Sequence, residues 1–174
     1  MTVSQHPTDR LIRELVDDDR PTTGTEIAEI LARTANAPFD RRPVAVPPAQ
    51  RGLTYNAQTL EARAPSLDLH MVKRIVMERQ WIYGTTTAQY LADLRRAVNA
   101  TETRICVYAR RGGYIVGTVT PTAMVIPSSR RGEQSLPLLL VVYSADRGMI
   151  ISGYQVSTIE QTGIPREARW LNEQ

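Results

Sequence analysis

Apolar residues recur at helical spacing in four stretches of the first hundred residues, and beyond them the pattern changes to short strand-like runs. Residues 8–18, TDRLIRELVDD, put Leu11, Ile12, Leu15 and Val16 on one face of a short helix that Pro21 ends. Thr23 and Glu26 have capping-box spacing, which predicts a second helix from Gly24 to about Ala35 with Ile27, Ile30 and Leu31 as its stripe. Two short amphipathic helices cannot make a core alone. They either dock on the main domain or meet a partner. In LDLHMVKRIVMERQ, residues 67–80, Leu67, Met71, Val72, Ile75 and Val76 share a broad apolar arc, and His70, Lys73 and Arg74 cluster opposite it. This helix is expected to run from Ser66 to about Trp81, before the break at Gly84. Thr86 with Gln89 then opens a core-facing helix whose stripe is Tyr90, Leu91, Leu94, Ala97 and Val98.

Four strand candidates follow. Residues 104–109 and 114–119 flank Arg110-Arg111-Gly112-Gly113, whose glycine pair is expected to supply the positive φ of a tight hairpin. The run 138–143, LLLVVY, is continuously apolar and so central, and 149–156 follows it after the turn Ala145-Asp146-Arg147-Gly148. Residues 120–137, with Pro121, Pro127 and Pro137, either extend the second strand or form a loop. Residues 36–65 carry five prolines and little periodicity, which reads as a linker. Ile164, Trp170 and Leu171 look like anchors for a docked tail. The pattern therefore predicts a helical N-terminal arm (1–35), a Pro-rich linker (36–65) and an α+β domain (66–174). In that domain two helices pack on a small antiparallel sheet of about four strands.

Composition narrows the class only a little. A lone cysteine, Cys106, excludes an internal disulfide and reads as a small buried hydrophobe. Neither a signal-peptide core nor an apolar run of membrane-spanning length is present, so a soluble cytoplasmic protein without a membrane partner is expected. Twenty of the 21 basic residues are arginine, a bias that a GC-rich genome explains. Charge location says more: residues 66–157 hold eleven basic and six acidic side chains, an excess of five within a chain whose net charge is +3. That excess favours an anionic partner there.

The common nucleotide-binding and hydrolase motifs are absent, and the two histidines, the single cysteine and the acidic residues show no metal-ligand spacing. No metal or other cofactor is expected. What remains is His70 with Lys73, Arg74 and Arg79 on a helix that leads into a sheet. Metal-free RNA cleavage needs a base for the ribose 2′-hydroxyl, positive charge for the transition state and an acid for the leaving oxygen, and histidine and arginine can supply these. Packing alternatives stand beside this reading: Arg74 and Glu78 are four apart and can pair, Tyr154 and Tyr143 fit as sheet aromatics, and Trp81 and Trp170 as packing residues.

The order of parts resembles the RelE/ParE-like and colicin-like ribonuclease toxin superfamily. It is most similar to a related family of unknown function with a helix H-x-x-x-R-x-x-x-R and a closing strand I-I-T-x-Y. The matching residues are His70, Arg74 and Arg79, with Ile150-Ile151-Ser152-Gly153-Tyr154. Arg79 falls one place late, Ser152 stands for the threonine and a glycine precedes Tyr154. The resemblance implies an RNA-binding or RNA-cleaving domain with His70, Arg74 and Tyr154 catalytic; by their charge and position, Lys73 and Arg79 on the helix and Arg110 and Arg111 at an exposed hairpin tip are the candidates to contact substrate phosphate. The alternative is a non-catalytic interaction protein of the same fold that uses the N-terminal helices for an antitoxin-like partner or a second copy. A DNA-binding regulator is a third reading, without a basic recognition helix to support it.

Overall fold

The computed structural model describes residues 3–173, and its elements begin where local chemistry starts them. Helices α1 (Pro7–Asp17) and α2 (Gly24–Asn36) are followed by α3 (Ser66–Met71), which widens into a π-helical segment, Val72–Met77, and by α4 (Thr87–Asn99). Both capping boxes form: the Thr23 and Thr86 hydroxyls accept the N–H of Glu26 and Gln89, whose side chains accept the cap N–H in return. Between α2 and α3 lie four short strands, β1 (Pro43–Ala45), β2 (Thr54–Tyr55), β3 (Gln58–Thr59) and β4 (Arg63–Pro65), paired as β1–β4 and β2–β3. The Pro-rich stretch is thus ordered, with Val46, Tyr55 and Leu60 buried in the core. Its β1–β4 pairing links residues about twenty apart, a regularity that local periodicity does not carry.

The main sheet holds β5 (Arg104–Arg110), β6 (Gly113–Pro121), β7 (Leu138–Ser144), β8 (Met149–Val156) and β9 (Arg169–Trp170), antiparallel throughout in the order β8-β7-β6-β5-β9. The expected α+β class with an antiparallel sheet holds, but the details differ. A fifth strand comes from the C-terminal tail, since β9 pairs with Cys106 and Val107 of β5. The uncertain segment extends β6 to Pro121 and then forms a one-turn helix, α5 (Thr122–Val125). At the β5–β6 hairpin the residues with positive φ are Arg111 (51°) and Gly112 (78°), because Arg110 and Gly113 are the closing pair.

Alternation assigns the two faces. Ile105, Val107, Val116, Leu139, Val141, Tyr143 and Ile150 meet the helices, while Cys106, Tyr108 and Ile115 face the tail together with Ile164, Ala168 and Trp170. Burial pushes the Cys106 thiol up to about 12, consistent with a packing role. Four helices, not two, cover the inner face or its edge. Of the two fates open to the N-terminal helices, the structure shows docking: Ile12, Leu15 and Ile30 are fully buried in the common core. The Asp9 carboxylate, itself at 0% exposure, accepts bonds from Ser4, Arg33 and the Tyr143 hydroxyl of β7. The Arg169 guanidinium of β9 donates to the Leu15, Asp18 and Arg20 carbonyls and to Thr22 Oγ1, a cation set at the C-terminal end of α1. None of the exposed large apolar side chains, Val3, Met77, Ile82, Tyr83 and Met124, lies on α1 or α2.

Two outcomes follow from this packing. A fragment without residues 1–35 uncovers the inner sheet face, and it is expected to lose the cooperative urea transition of the full chain; a sharp transition in the fragment would show that the helices are dispensable. Arg169→Ala leaves several carbonyls of the α1–α2 turn without a donor and should cost about 2–3 kcal/mol in urea unfolding, with Arg169→Lys recovering only part because the planar fork is lost.

Candidate functional site

The edge of β8 decides where the helical candidates sit. Ile150 donates its N–H to the Pro38 carbonyl and accepts the Asp40 N–H, in an isolated parallel bridge centred on Phe39. Further along, the Gln80 side chain mimics a strand: its Oε1 accepts the Gln155 N–H at 2.8 Å and its Nε2 donates to the Gln155 carbonyl at 3.0 Å. Between them the Tyr90 hydroxyl donates to the Gly153 carbonyl at 2.6 Å. A Cβ at position 153 would come within 2.5 Å of Leu94, so the residue before Tyr154 must be glycine for α4 to reach the sheet.

His70 lies in the row of rings that lines this edge. Trp81 meets Tyr90 at 5.0 Å, Tyr90 meets Phe39 at 6.3 Å and Phe39 meets His70 at 5.5 Å, edge to face. Its Nδ1 is buried, with no hydrogen-bond partner among the described residues. Burial foremost, and then the charges of Arg74 and Lys73, pull the imidazole down to about 4, so it is neutral at pH 7. Arg74, 7% exposed, pairs with Glu78 at 2.6 Å and stacks its guanidinium 4.3 Å from the centre of the Tyr154 ring. The Tyr154 hydroxyl donates to the Thr162 carbonyl at 2.9 Å, and burial raises its pKa above the usual tyrosine range. Arg74 and Tyr154 thus meet, with His70 one turn away on the same helix, but each has an internal partner or is packed.

Lys73 is exposed on the outer side of the same segment. Arg79 leaves the helix in the left-handed conformation (φ 53°) and pairs with Glu133 at 2.8 Å, away from His70 and Tyr154. The residue that follows it, Gln80, carries the edge contact, so the late position of Arg79 belongs to the way the π-helical segment ends: Glu78 N–H reaches Lys73 O and Gln80 N–H reaches Arg74 O.

The hairpin-tip arginines occupy a different setting. Arg110, Arg111, Gly112 and Gly113 line a cleft of about 560 Å³ with Val3, Ile115, Ser144, Asp146, Arg147 and Ile151. The cleft opens at the end of the sheet where the β5–β6 turn meets the β7–β8 turn, and it wraps onto the outer face at Ile115 and Ile151. Arg110 leans back against the Tyr108 hydroxyl. Arg147 reaches Asp40 only at 3.5 Å, and Arg111 has no hydrogen-bond or ion-pair partner among the described residues. Arginines along the walls of the cleft, together with its apolar floor, can hold an anionic ligand that also has an apolar face. The sequence singled out Arg110 and Arg111 but not Arg147 or Asp146; the signal was there, in a charged turn ADRG that returns to the same sheet end as RRGG.

Among the described residues no group of histidine, cysteine and acidic side chains could hold a metal ion, and no helix is long and apolar enough to cross a membrane. Comparison with family models, with curated proteins and with solved structures finds no match to this chain.

The setting of His70 has a pH signature. Its pKa in the folded protein lies below the unfolded value of about 6.5, so the unfolded chain binds the proton first and stability declines as pH falls from about 6.5 towards 4. Urea unfolding of wild type and His70→Leu across this range should show a steeper loss for wild type; parallel profiles would place the imidazole in solvent.

Proposed function

We propose that this protein is an RNA-binding domain that grips phosphates at the hairpin end of its sheet. The observation that carries the reading is that Arg110, Arg111 and Arg147 all line one open cleft, with Arg111 unpartnered among the described residues. Arginine at such a place holds phosphate oxygens through its planar fork, and an apolar floor receives the face of a sugar or base. The left-handed φ of Arg111 adds support. An L side chain with a β-carbon costs about 1 kcal/mol there relative to glycine, so an arginine at this tip is costly for a turn alone. The excess of five basic side chains in residues 66–157 and the resemblance to ribonuclease toxins point to the same class of partner.

Cleavage through His70, Arg74 and Tyr154 has less to support it. A general base must reach the proton it takes, and a pKa near 4 makes a weak base at pH 7. The Tyr154 hydroxyl is engaged by Thr162, and Arg74 by Glu78 and by the Tyr154 ring. In this reading the His70 helix seals the sheet edge and the hairpin end meets RNA.

Fluorescence anisotropy with a labelled single-stranded RNA at about 50 and about 200 mM salt tests it, because releasing counterions makes phosphate binding weaken as salt rises. The variant Arg111→Ala/Arg147→Ala should bind about tenfold more weakly and lower the salt slope by about 0.7 for each phosphate that is no longer neutralised. A folded His70→Leu protein should bind as wild type does. Absence of binding at low salt would remove the RNA reading, and RNA cleavage that disappears in folded His70→Leu would restore the catalytic one.

A further inference from the structure

Asp146 stands out in the arginine-lined cleft, because a carboxylate repels the phosphates that its neighbours attract. Its place is fixed by the hairpin itself. One oxygen, Oδ2, accepts the Tyr114 backbone N–H at 2.7 Å, and the carboxylate lies so close to the turn that a Cβ on residue 113 would approach the same oxygen to 2.7 Å. A side chain at 113 would have to displace this carboxylate from Tyr114 N–H. The backbone around Asp146 is held as well, since its carbonyl accepts the Ser4 N–H and the Arg147 N–H is bonded to Ser144 Oγ. Among the described residues no arginine lies within ion-pair distance of this carboxylate, although Arg110, Arg111 and Arg147 line the same cleft. Oδ1 has no hydrogen-bond partner among the described residues and is not among their buried unsatisfied atoms.

A phosphate alone gains nothing from that oxygen. A ligand that offers a hydroxyl donor between two phosphates does, and the repeating unit of RNA has this form: each 2′-hydroxyl lies between the phosphate before its sugar and the phosphate after it. DNA lacks the donor. We propose that Asp146 makes the cleft ribose-selective, its Oδ1 accepting the 2′-hydroxyl of a nucleotide whose flanking phosphates lie against the arginines. The sugar or base then rests on Ile115 and Ile151. This inference rests on the RNA-binding reading and deepens it by naming the group that separates RNA from DNA.

The test uses the full-length protein and three single-stranded oligonucleotides of one sequence: RNA, DNA and 2′-O-methyl RNA. The methylated strand keeps the 2′-oxygen but cannot donate from it. Wild type should bind RNA about tenfold more tightly than either of the other two, the size expected when a partly buried acceptor loses its donor. Asp146→Asn keeps an oxygen for Tyr114 N–H and presents an amide donor in place of Oδ1, so the RNA preference should fall to about one while DNA binding strengthens. Equal wild-type affinity for RNA and DNA, or methylated RNA binding as tightly as RNA, would overturn the ribose inference and leave RNA binding standing. Failure of every strand to bind would remove the underlying reading. A full RNA preference in folded Asp146→Asn would assign selectivity to another group; should that variant not fold, the methylated strand still decides on wild type.

Discussion

The unpaired edge of β8 is the constraint on which the helical half of this protein depends. An edge strand presents backbone donors and acceptors with no neighbour, and a buried one left unmade costs about 1–3 kcal/mol per group. Here three segments far apart in sequence take them: the Pro38–Asp40 backbone at Ile150, the Tyr90 hydroxyl at Gly153 and the Gln80 amide at Gln155. The amide contact is reciprocal, since Gln155 Nε2 donates to the Gln80 carbonyl and Gln155 Oε1 accepts from Ser135 and Leu136. For Gln80 to reach this place the helix from Ser66 widens and ends in a left-handed residue. Arg74 is brought over Tyr154 and His70 against Phe39 by the same requirement.

Buried carboxylates organise the rest. Asp9 binds α1 to α2 and β7, and Asp93, also at 0% exposure, accepts from Trp81 Nε1, Arg96 and Arg130. Each joins segments that the chain separates by tens of residues. A buried ion pair adds little net stability over an apolar substitute, but breaking one strands a charge and costs about 3–5 kcal/mol, so such pairs fix which segments meet. Burial works to raise the Asp9 carboxyl, and the hydrogen bonds from Arg33, Ser4 and Tyr143 outweigh it and hold the group below the usual range. Its contribution is therefore complete at neutral pH and declines in acid, in the same direction as that of His70.

What was legible in the sequence was what neighbouring residues decide. Both capping boxes, the stripe Tyr90–Val98, the strands around RRGG and ADRG and the anchoring tail follow from spacings of a few residues, and they form. Long-range partners were not legible. The helical wheel put His70 and Arg74 on a polar face, which would be solvated on an isolated helix. An edge strand nearly eighty residues later turns that face inward, and glutamine at position 80 gave no local sign that its amide would complete a sheet. The Pro-rich stretch has no internal period because its outer strands pair across a gap. For the cleft, the hairpin arginines were visible, and Asp146 and Arg147 acquired meaning only when antiparallel register brought the two turns to one end.

Arginine usage illustrates the same division. Twenty arginines say little as a count, yet their partners sort them by physical role. Arg20, Arg33, Arg96, Arg130 and Arg169 hold carboxylates or carbonyls of other segments, and Arg74 holds an aromatic ring and a neighbouring glutamate. These are part of the fold, and a ligand phosphate could claim them only by breaking an internal contact. Arg111 has no such contact to break, and Arg147 has only a long one. Both arginines lie on turns of the main sheet, at the same end of it. The groups able to move protons, His70 and Tyr154, are thus packed along one edge of the sheet, and the arginines with fewest internal contacts lie at its end.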